Sequence, residues 1–341
     1  MPKHEEMYKF DDQKFLLDGI KVYALRVPIE MIADKLAQKE YKNIILSGVG
    51  GTTAEMYAVC RIIEKYSDIP VYLLNAAEAL AEKDRRITRN SLVLTASKSG
   101  DTPETVSLCW YAKKTGATIV SFVSMEHCPL AEASDYKIVS AEEGMENTYM
   151  RLYLFILRFL YRKGDFQNYE RFADQMKSLH SDALRIKHAY DRVADANAEK
   201  YWQEPYQIWI GSDIVFGEMT LLTMCILEEM QWMRNRLVSS SEFFHGALEL
   251  VEKDVMVTLV KGLGPCRALD ERVEKFLQGR TQKLVIVDLE ELKFTGIDEE
   301  FQYILSPIIL SNVMAGRYCW NLEKHSGHDL SIRRYYRQFK Y

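Results

Sequence analysis

Short apolar runs bounded by glycine, serine or charged residues recur along this chain, and between them apolar positions repeat every three or four residues. The runs at 43–47, 71–74, 91–96, 118–123 and 136–139 have the length and continuous apolar character of strands buried on both faces. Helical spacing fills 29–40, 54–65 and 103 to about 115, with a short helical piece at 129–132. From 147 to 201 the pattern is helical throughout, apolar at 149–161 and amphipathic at 172–198. Strand and helix then alternate again: strands at 207–210, 255–260 and 283–288, and helices at 215–234 and 269–277. Alternation of this kind predicts an α/β protein with a doubly wound parallel sheet, flavodoxin-like and covered by helices on both faces, made twice in tandem. The expected division is a first domain at 1–145, a helical connector at 146–202, a second domain at 203–330 and a tail at 331–341.

Two turns follow predicted strands and open predicted helices, at the edge where such sheets bind ligands. The first is Gly48-Val49-Gly50-Gly51-Thr52-Thr53. Free amides and the helix dipole make it an anion site, with Gly50, Gly51 and Thr52 as candidate phosphate contacts. It lacks the third glycine of a dinucleotide fingerprint, since Thr53 stands there, so a nicotinamide site and a plain structural turn remain as weaker alternatives. The second turn is Ser97-Lys98-Ser99-Gly100-Asp101-Thr102-Pro103, with Thr102 at an N-cap and Pro103 as first helical residue. Its alternating hydroxyls suit a phosphate monoester, which makes Ser97, Ser99 and Thr102 candidates and Lys98 a weaker one. In the second half the corresponding turns are Gly211-Ser212-Asp213 and a segment at 263–267 with no hydroxyl, so the phosphate is expected on the first copy.

The apolar helix of the second half contains adjacent carboxylates, Glu228 and Glu229, and His245 follows in the segment Ser239 to Gly246. Neighbours on a helix point about 100° apart, so one acid can face the interior while the other is solvated. Sixteen residues on one continuous helix would separate Glu229 from His245 by about 24 Å, too far for a shared substrate. Either the chain folds back near 237–241, or His245 serves the site of a second subunit. A solvated acid and a structural histidine are the plainer readings of the pair taken alone. Glu242 stands beside His245, either to orient it or contact an amine, or as a helix cap.

At 341 residues with 48% apolar and 27% charged residues, the chain is long enough for two cores. A net charge of −5 without a basic, aromatic stripe argues against nucleic acid as a partner. No apolar run reaches spanning length, so no membrane is expected. The six cysteines are scattered and the leader is polar, which together point to a reduced, cytoplasmic protein. No metal-ligand spacing is present, and neither metal nor organic cofactor is expected. The greasy helix around Glu229 suggests a homodimer or higher homo-oligomer.

Taken together, Gly50-Gly51-Thr52, Ser97-Lys98-Ser99-Gly100-Asp101-Thr102 and the pair Glu229 and His245 resemble the sugar isomerase (SIS) domain family. Glu229-Met230-Gln231-Trp232, Ser241 to Gly246 and the closing Arg333-Arg334-Tyr335 with Tyr341 look most like the fructosamine 6-phosphate deglycases of that family. The isomerase half of glucosamine-6-phosphate synthase shows a similar glutamate-to-histidine spacing. The sequence departs from the group at Gly246-Ala247, at 234–238 and at 336–340, which leaves the amine open. The resemblance implies hydrolytic deglycation of a phosphorylated sugar-amine, an Amadori product, to glucose 6-phosphate and a free amino acid. Glu229 would be the base at carbon 1 and His245 the acid–base group at the sugar oxygens, acting in cis or across a subunit interface. Arg334 and Tyr341 of the tail would be weaker substrate contacts, the tail closing over the site. A ketose–aldose phosphosugar isomerase and a non-catalytic phosphosugar-binding protein are the alternatives.

Overall fold

The structure is a computed structural model, and it describes residues 6–339. Tyr341 lies outside the described residues. Five strands of the first half, β1 (Asn43–Gly48), β2 (Val71–Asn75), β3 (Ser91–Ser97), β4 (Thr118–Val123) and β5 (Tyr136–Val139), form a parallel sheet in the order β2-β1-β3-β4-β5. Every residue of β1 and β3 is buried. The row Ile45, Val93, Ile119 runs across three strands in register and packs with the helices Ala76–Glu82, Pro103–Thr115 and Pro129–Ala133. Successive residues point to opposite faces, and the other face is covered by Arg26–Ala37, Gly51–Tyr66 and Met145–Lys163, with Phe155 meeting Phe122 edge-on at 5.8 Å.

Four strands of the second half, β6 (Gln207–Gly211), β7 (Asn235–Ser239), β8 (Met256–Lys261) and β9 (Lys283–Asp288), form a parallel sheet in the order β7-β6-β8-β9. This repeats the order β2-β1-β3-β4, so the two halves share a topology. Ile208, Ile210, Val257 and Leu259 pack with Val273 and Leu277 of the helix Arg267–Leu277. On the opposite face Trp209 is fully buried, its Nε1 donating to Gln207 Oε1 at 3.1 Å and its ring 6.0 Å from that of Tyr318.

The chain divides into two compact units, residues 16–177 and residues 178–339 together with 6–15. Residues 146–177 fall in the one unit and residues 178–202 in the other. Met145–Lys163 is buried over most of its length, and Tyr149, Phe155 and Leu160 are fully buried within the first unit. Leu179–Tyr201 belongs instead to the second unit, where Asp182 accepts from the backbone N–H groups of Thr295 and Gly296. The polar leader includes a helix, Asp12–Tyr23, that its composition concealed.

The predicted helix 215–234 ends sooner. It runs as α-helix over Phe216–Thr220 and as wider π-type turns over Leu221–Glu228, and the chain then turns over. Trp232 sits in the left-handed region (φ 57°) within that turn, and the chain enters β7 three residues later. β7 is an edge strand in which Asn235, Arg236 and Ser239 leave only Leu237 and Val238 apolar, so it carries little of the apolar signal by which the other strands declare themselves. Among the described residues no helix is long and apolar enough to cross a membrane, and all six cysteines are free.

Candidate active site

Strands β1 and β3 are neighbours, and their connections leave on opposite sides of the sheet, so the loops beyond their carboxyl ends flank the topological switch point. Both loops lead into helices whose first turns have no side-chain cap: Gly51–Tyr66, with Gly50 at the N-cap, and Pro103–Thr115, with Thr102 there. Uncapped starts leave backbone N–H groups and the positive end of the helix dipole to an anion. Thr52 Oγ1 donates to Ala96 O at 3.3 Å, tying the two loops together. Gly50 has φ 55° and ψ −129°, a conformation only glycine adopts without strain.

Within the second loop the hydroxyls have different work. Ser97 is buried and its Oγ accepts the Gly100 N–H at 3.0 Å, with Thr102 Oγ1 at 3.2 Å and Ser99 Oγ at 3.5 Å. Ser97 therefore braces the turn, while Ser99 and Thr102 stand on its rim. Gly100 (φ 69°) lies against Cys128, and its carbonyl accepts the Leu130 N–H at 2.9 Å. Lys98 is on the surface, paired with Glu143 at 3.0 Å and well exposed, an arrangement that contributes little.

One group near this site was missed in the sequence. Glu55 stands one turn along the helix from Thr52, half-buried, and burial pushes its carboxyl up to about 7 while Arg151 pulls it back. Arg151 is itself buried, with hydrogen bonds to the carbonyls of Asn147 (3.3 Å) and Val123 (3.4 Å). A charged residue on an otherwise apolar helix face was the only sequence signal for Glu55. Because its folded value lies above the ordinary 4.5, the unit loses stability as pH rises from about 4.5 through about 7. Ionisation across neutral pH also places negative charge near the anion site. The Michaelis constant for a phosphosugar is therefore expected to rise between about pH 6 and 8 in the native protein, and to stay flatter in Glu55→Gln.

The second half fills its corresponding position from within. Asp270 is buried, accepts Ser240 Oγ–H at 2.5 Å and the Gly262 N–H at 3.0 Å, and burial raises its carboxyl to about 6. Asp213, in the left-handed region, accepts from Tyr303 OH at 3.1 Å. A carboxylate already occupies the donors that a phosphate would need.

Glu229 precedes the amino end of β7 and His245 follows its carboxyl end. Asn235 Nδ2 donates to Thr223 O at 3.3 Å, so the start of β7 lies beside the middle of the helical turns and Glu229 lies further along, past the amino end of the strand. His245 follows the carboxyl end, exposed, in the short 3-10 turn Phe243–His245. The five residues of β7 alone span about 16 Å. The chain folds back earlier than 237–241, and the return strand carries the histidine away. Glu242 caps nothing with its side chain and is exposed.

Glu229 instead meets the tail. Arg333 Nε donates to Glu229 Oε1 at 2.7 Å, with both side chains partly buried. Partial burial raises the carboxyl of Glu228, which is otherwise exposed. Gln231 Nε2 donates to His328 O at 2.8 Å, the rings of Trp232 and His328 lie 4.3 Å apart, and the Arg334 guanidinium lies 4.0 Å from the Trp232 ring centre. The tail segment 326–334 thus sits against the turn that follows Glu229. Among the described residues no cluster of His, Cys, Asp and Glu could hold a metal ion.

Residues 36–158 match the SIS domain. Fructosamine deglycase FrlB of Bacillus subtilis is 28% identical over 92% of this chain and 97% of its own length. Fructoselysine 6-phosphate deglycase of Escherichia coli O157:H7 is 21% identical over 93% of this chain and 92% of its own. A crystal structure from Bacillus subtilis, assigned as a phosphosugar isomerase, superposes with a TM-score of 0.87 at 26% identity, covering 92% of this chain and 97% of that one. The relatives of this chain include sugar deglycases and phosphosugar isomerases, and it shares the fold of the latter.

Proposed function

We propose that this chain, which carries a SIS domain at residues 36–158, is an enzyme that hydrolyses a fructosamine 6-phosphate to glucose 6-phosphate and a free amine. The observation that carries the reading is the pair of hydroxyl-bearing turns, joined through Thr52 and Ala96 over two uncapped helix starts, in a chain similar along nearly its whole length to a fructosamine deglycase. Such a cradle offers neutral donors and helix dipoles to a phosphate monoester. Ser99, Thr102 and the amides around Gly50, Gly51 and Thr52 hold the ester, and Ser97 shapes the loop.

The reaction moves one proton and adds one water. Glu229 removes a proton from carbon 1 of the open-chain ketosamine, leaving an enaminol. A proton added at carbon 2 turns it into the imine of the aldose, and water adds at carbon 1 as the amine departs. Arg333 holds Glu229 Oε1, and Oε2 makes no hydrogen bond among the described residues, so that oxygen acts as the base. His245 opens the ring and exchanges protons at the sugar oxygens, a task suited to imidazole because one ring nitrogen can donate while the other accepts. Since one chain keeps it beyond the far end of β7 from Glu229, a second copy supplies it.

The reading is tested by following glucose 6-phosphate release from phosphorylated fructosamines, with fructose 6-phosphate as control. Conversion of fructose 6-phosphate alone would make the protein a ketose–aldose isomerase instead. Ser99→Ala is expected to raise the Michaelis constant about tenfold with little change in kcat, because it removes a donor to a charged group remote from the reacting carbons. An unchanged constant would take Ser99 out of the phosphate site.

A further inference from the structure

We propose that the amine half of the substrate is an α-amino acid joined through its α-nitrogen, with its α-carboxylate held by Arg333 and Arg334. This rests on Glu229 being the base of the deglycation proposed above. Three features of the turn after Glu229 point to it.

The first is the Arg333 fork. Its Nε is used on Glu229, and its Nη1 donates to the carbonyls of Leu330 (2.6 Å) and Ile332 (3.0 Å). Nη2 makes no hydrogen bond among the described residues. A guanidinium is built to grip a carboxylate with two parallel N–H groups. Here the fork is oriented by three protein oxygens and leaves a donor open beside the base.

The second is Arg334. Its guanidinium lies on the Trp232 ring, 4.0 Å from the centre, and it is exposed with no ion-pair partner among the described residues. Stacking orients the planar group without using its N–H donors. The third is Trp232 itself, held at φ 57° in a region that side-chain-bearing residues rarely enter. Such strain collects where a site needs one particular orientation. The indole touches His328 on one neighbour and Arg334 on another, so the strained residue presents the cation.

The substrate chemistry supplies the matching anion. The base acts at carbon 1, which bears the amine nitrogen. In an α-linked adduct the carboxyl carbon is three bonds from carbon 1, within about 4 Å of it. A carboxylate there falls within reach of a guanidinium bound to the base. In an adduct through a remote side-chain nitrogen the carboxylate lies several bonds further off. A simple alkylamine has none.

The test compares three substrates, the 6-phosphates of fructosylglycine, fructosylpropylamine and fructose joined to the side-chain nitrogen of lysine. For the native enzyme, kcat/KM for the glycine adduct is expected to exceed that for the propylamine adduct by about 30-fold, as charge-assisted hydrogen bonds can supply. The lysine adduct is expected to fall near the propylamine value. In Arg334→Ala the ratio of glycine to propylamine adduct should drop about tenfold, and Arg334→Lys should restore part of it, since charge remains but the fork does not. Equal kcat/KM for glycine and propylamine adducts overturns the inference while leaving deglycation standing. A ratio untouched by Arg334→Ala overturns the assignment of Arg334. Failure of all three adducts to release glucose 6-phosphate overturns the deglycase reading, and this inference with it.

Discussion

Glu229→Gln is expected to lower kcat for fructosamine 6-phosphate cleavage by about three orders of magnitude, in the range set by losing a general base. Glutamine keeps the shape and can still accept from Arg333 Nε through its amide oxygen, so the hold of the tail on this turn survives. The phosphate cradle lies in the other unit and is untouched, so affinity for a phosphosugar that does not react should change little. Kinetics on the glycine adduct, with calorimetric titration of sorbitol 6-phosphate, separate the two effects. Turnover within about tenfold of native would remove Glu229 from the role. Glu228→Gln serves as the comparison, because that side chain is exposed and makes no hydrogen bond to the tail among the described residues. A large loss there with none at Glu229 would exchange the two assignments.

Gly100→Ala is expected to damage both stability and phosphate binding. A Cβ at this position would stand 2.4 Å from Cys128 Sγ and 2.7 Å from its Cβ, and the backbone is left-handed at φ 69°. The left-handed backbone costs about 1–2 kcal/mol for a residue with a side chain, and the overlap about 1–3 kcal/mol more. Relief would require the loop to lift from Cys128, breaking the bond from Leu130 N–H to Gly100 O or the one from Gly100 N–H to Ser97 Oγ. Either movement displaces Ser99 and Thr102, so the Michaelis constant should rise more than for Ser99→Ala. Thermal unfolding and phosphosugar titration measure the two losses. A variant with native melting and native affinity would show that the loop is not shaped by this contact.

The contrast between these residues shows how far local pattern reaches. Gly100 and its serines could be read in the sequence because the turn is local: a strand ends, a glycine reverses the chain, and a proline starts a helix within seven residues. The nine strands divide in the same way. Eight carry apolar runs that the sequence displays, whereas β7 has only Leu237 and Val238 between Asn235, Arg236 and Ser239 and reads as loop. Missing it carried the predicted helix through to 234 and hid the distance between Glu229 and His245. Asp270 was also out of reach, since its partners Ser240 and Gly262 come from two other segments.

The amino-acid order alone determined the α/β class, the doubling of the sheet, the hydroxyl-rich turns and the candidate acid and imidazole. Each follows from periodicity or from residues adjacent in the chain, where steric preference and burial act over a few positions. Tertiary structure decided which residues share a unit, where the helix after β6 stops, that Arg333 reaches Glu229 across 104 positions, and that β7 separates the acid from the histidine. Those outcomes depend on packing between distant segments, whose energies come from surfaces that exist only after the chain has folded.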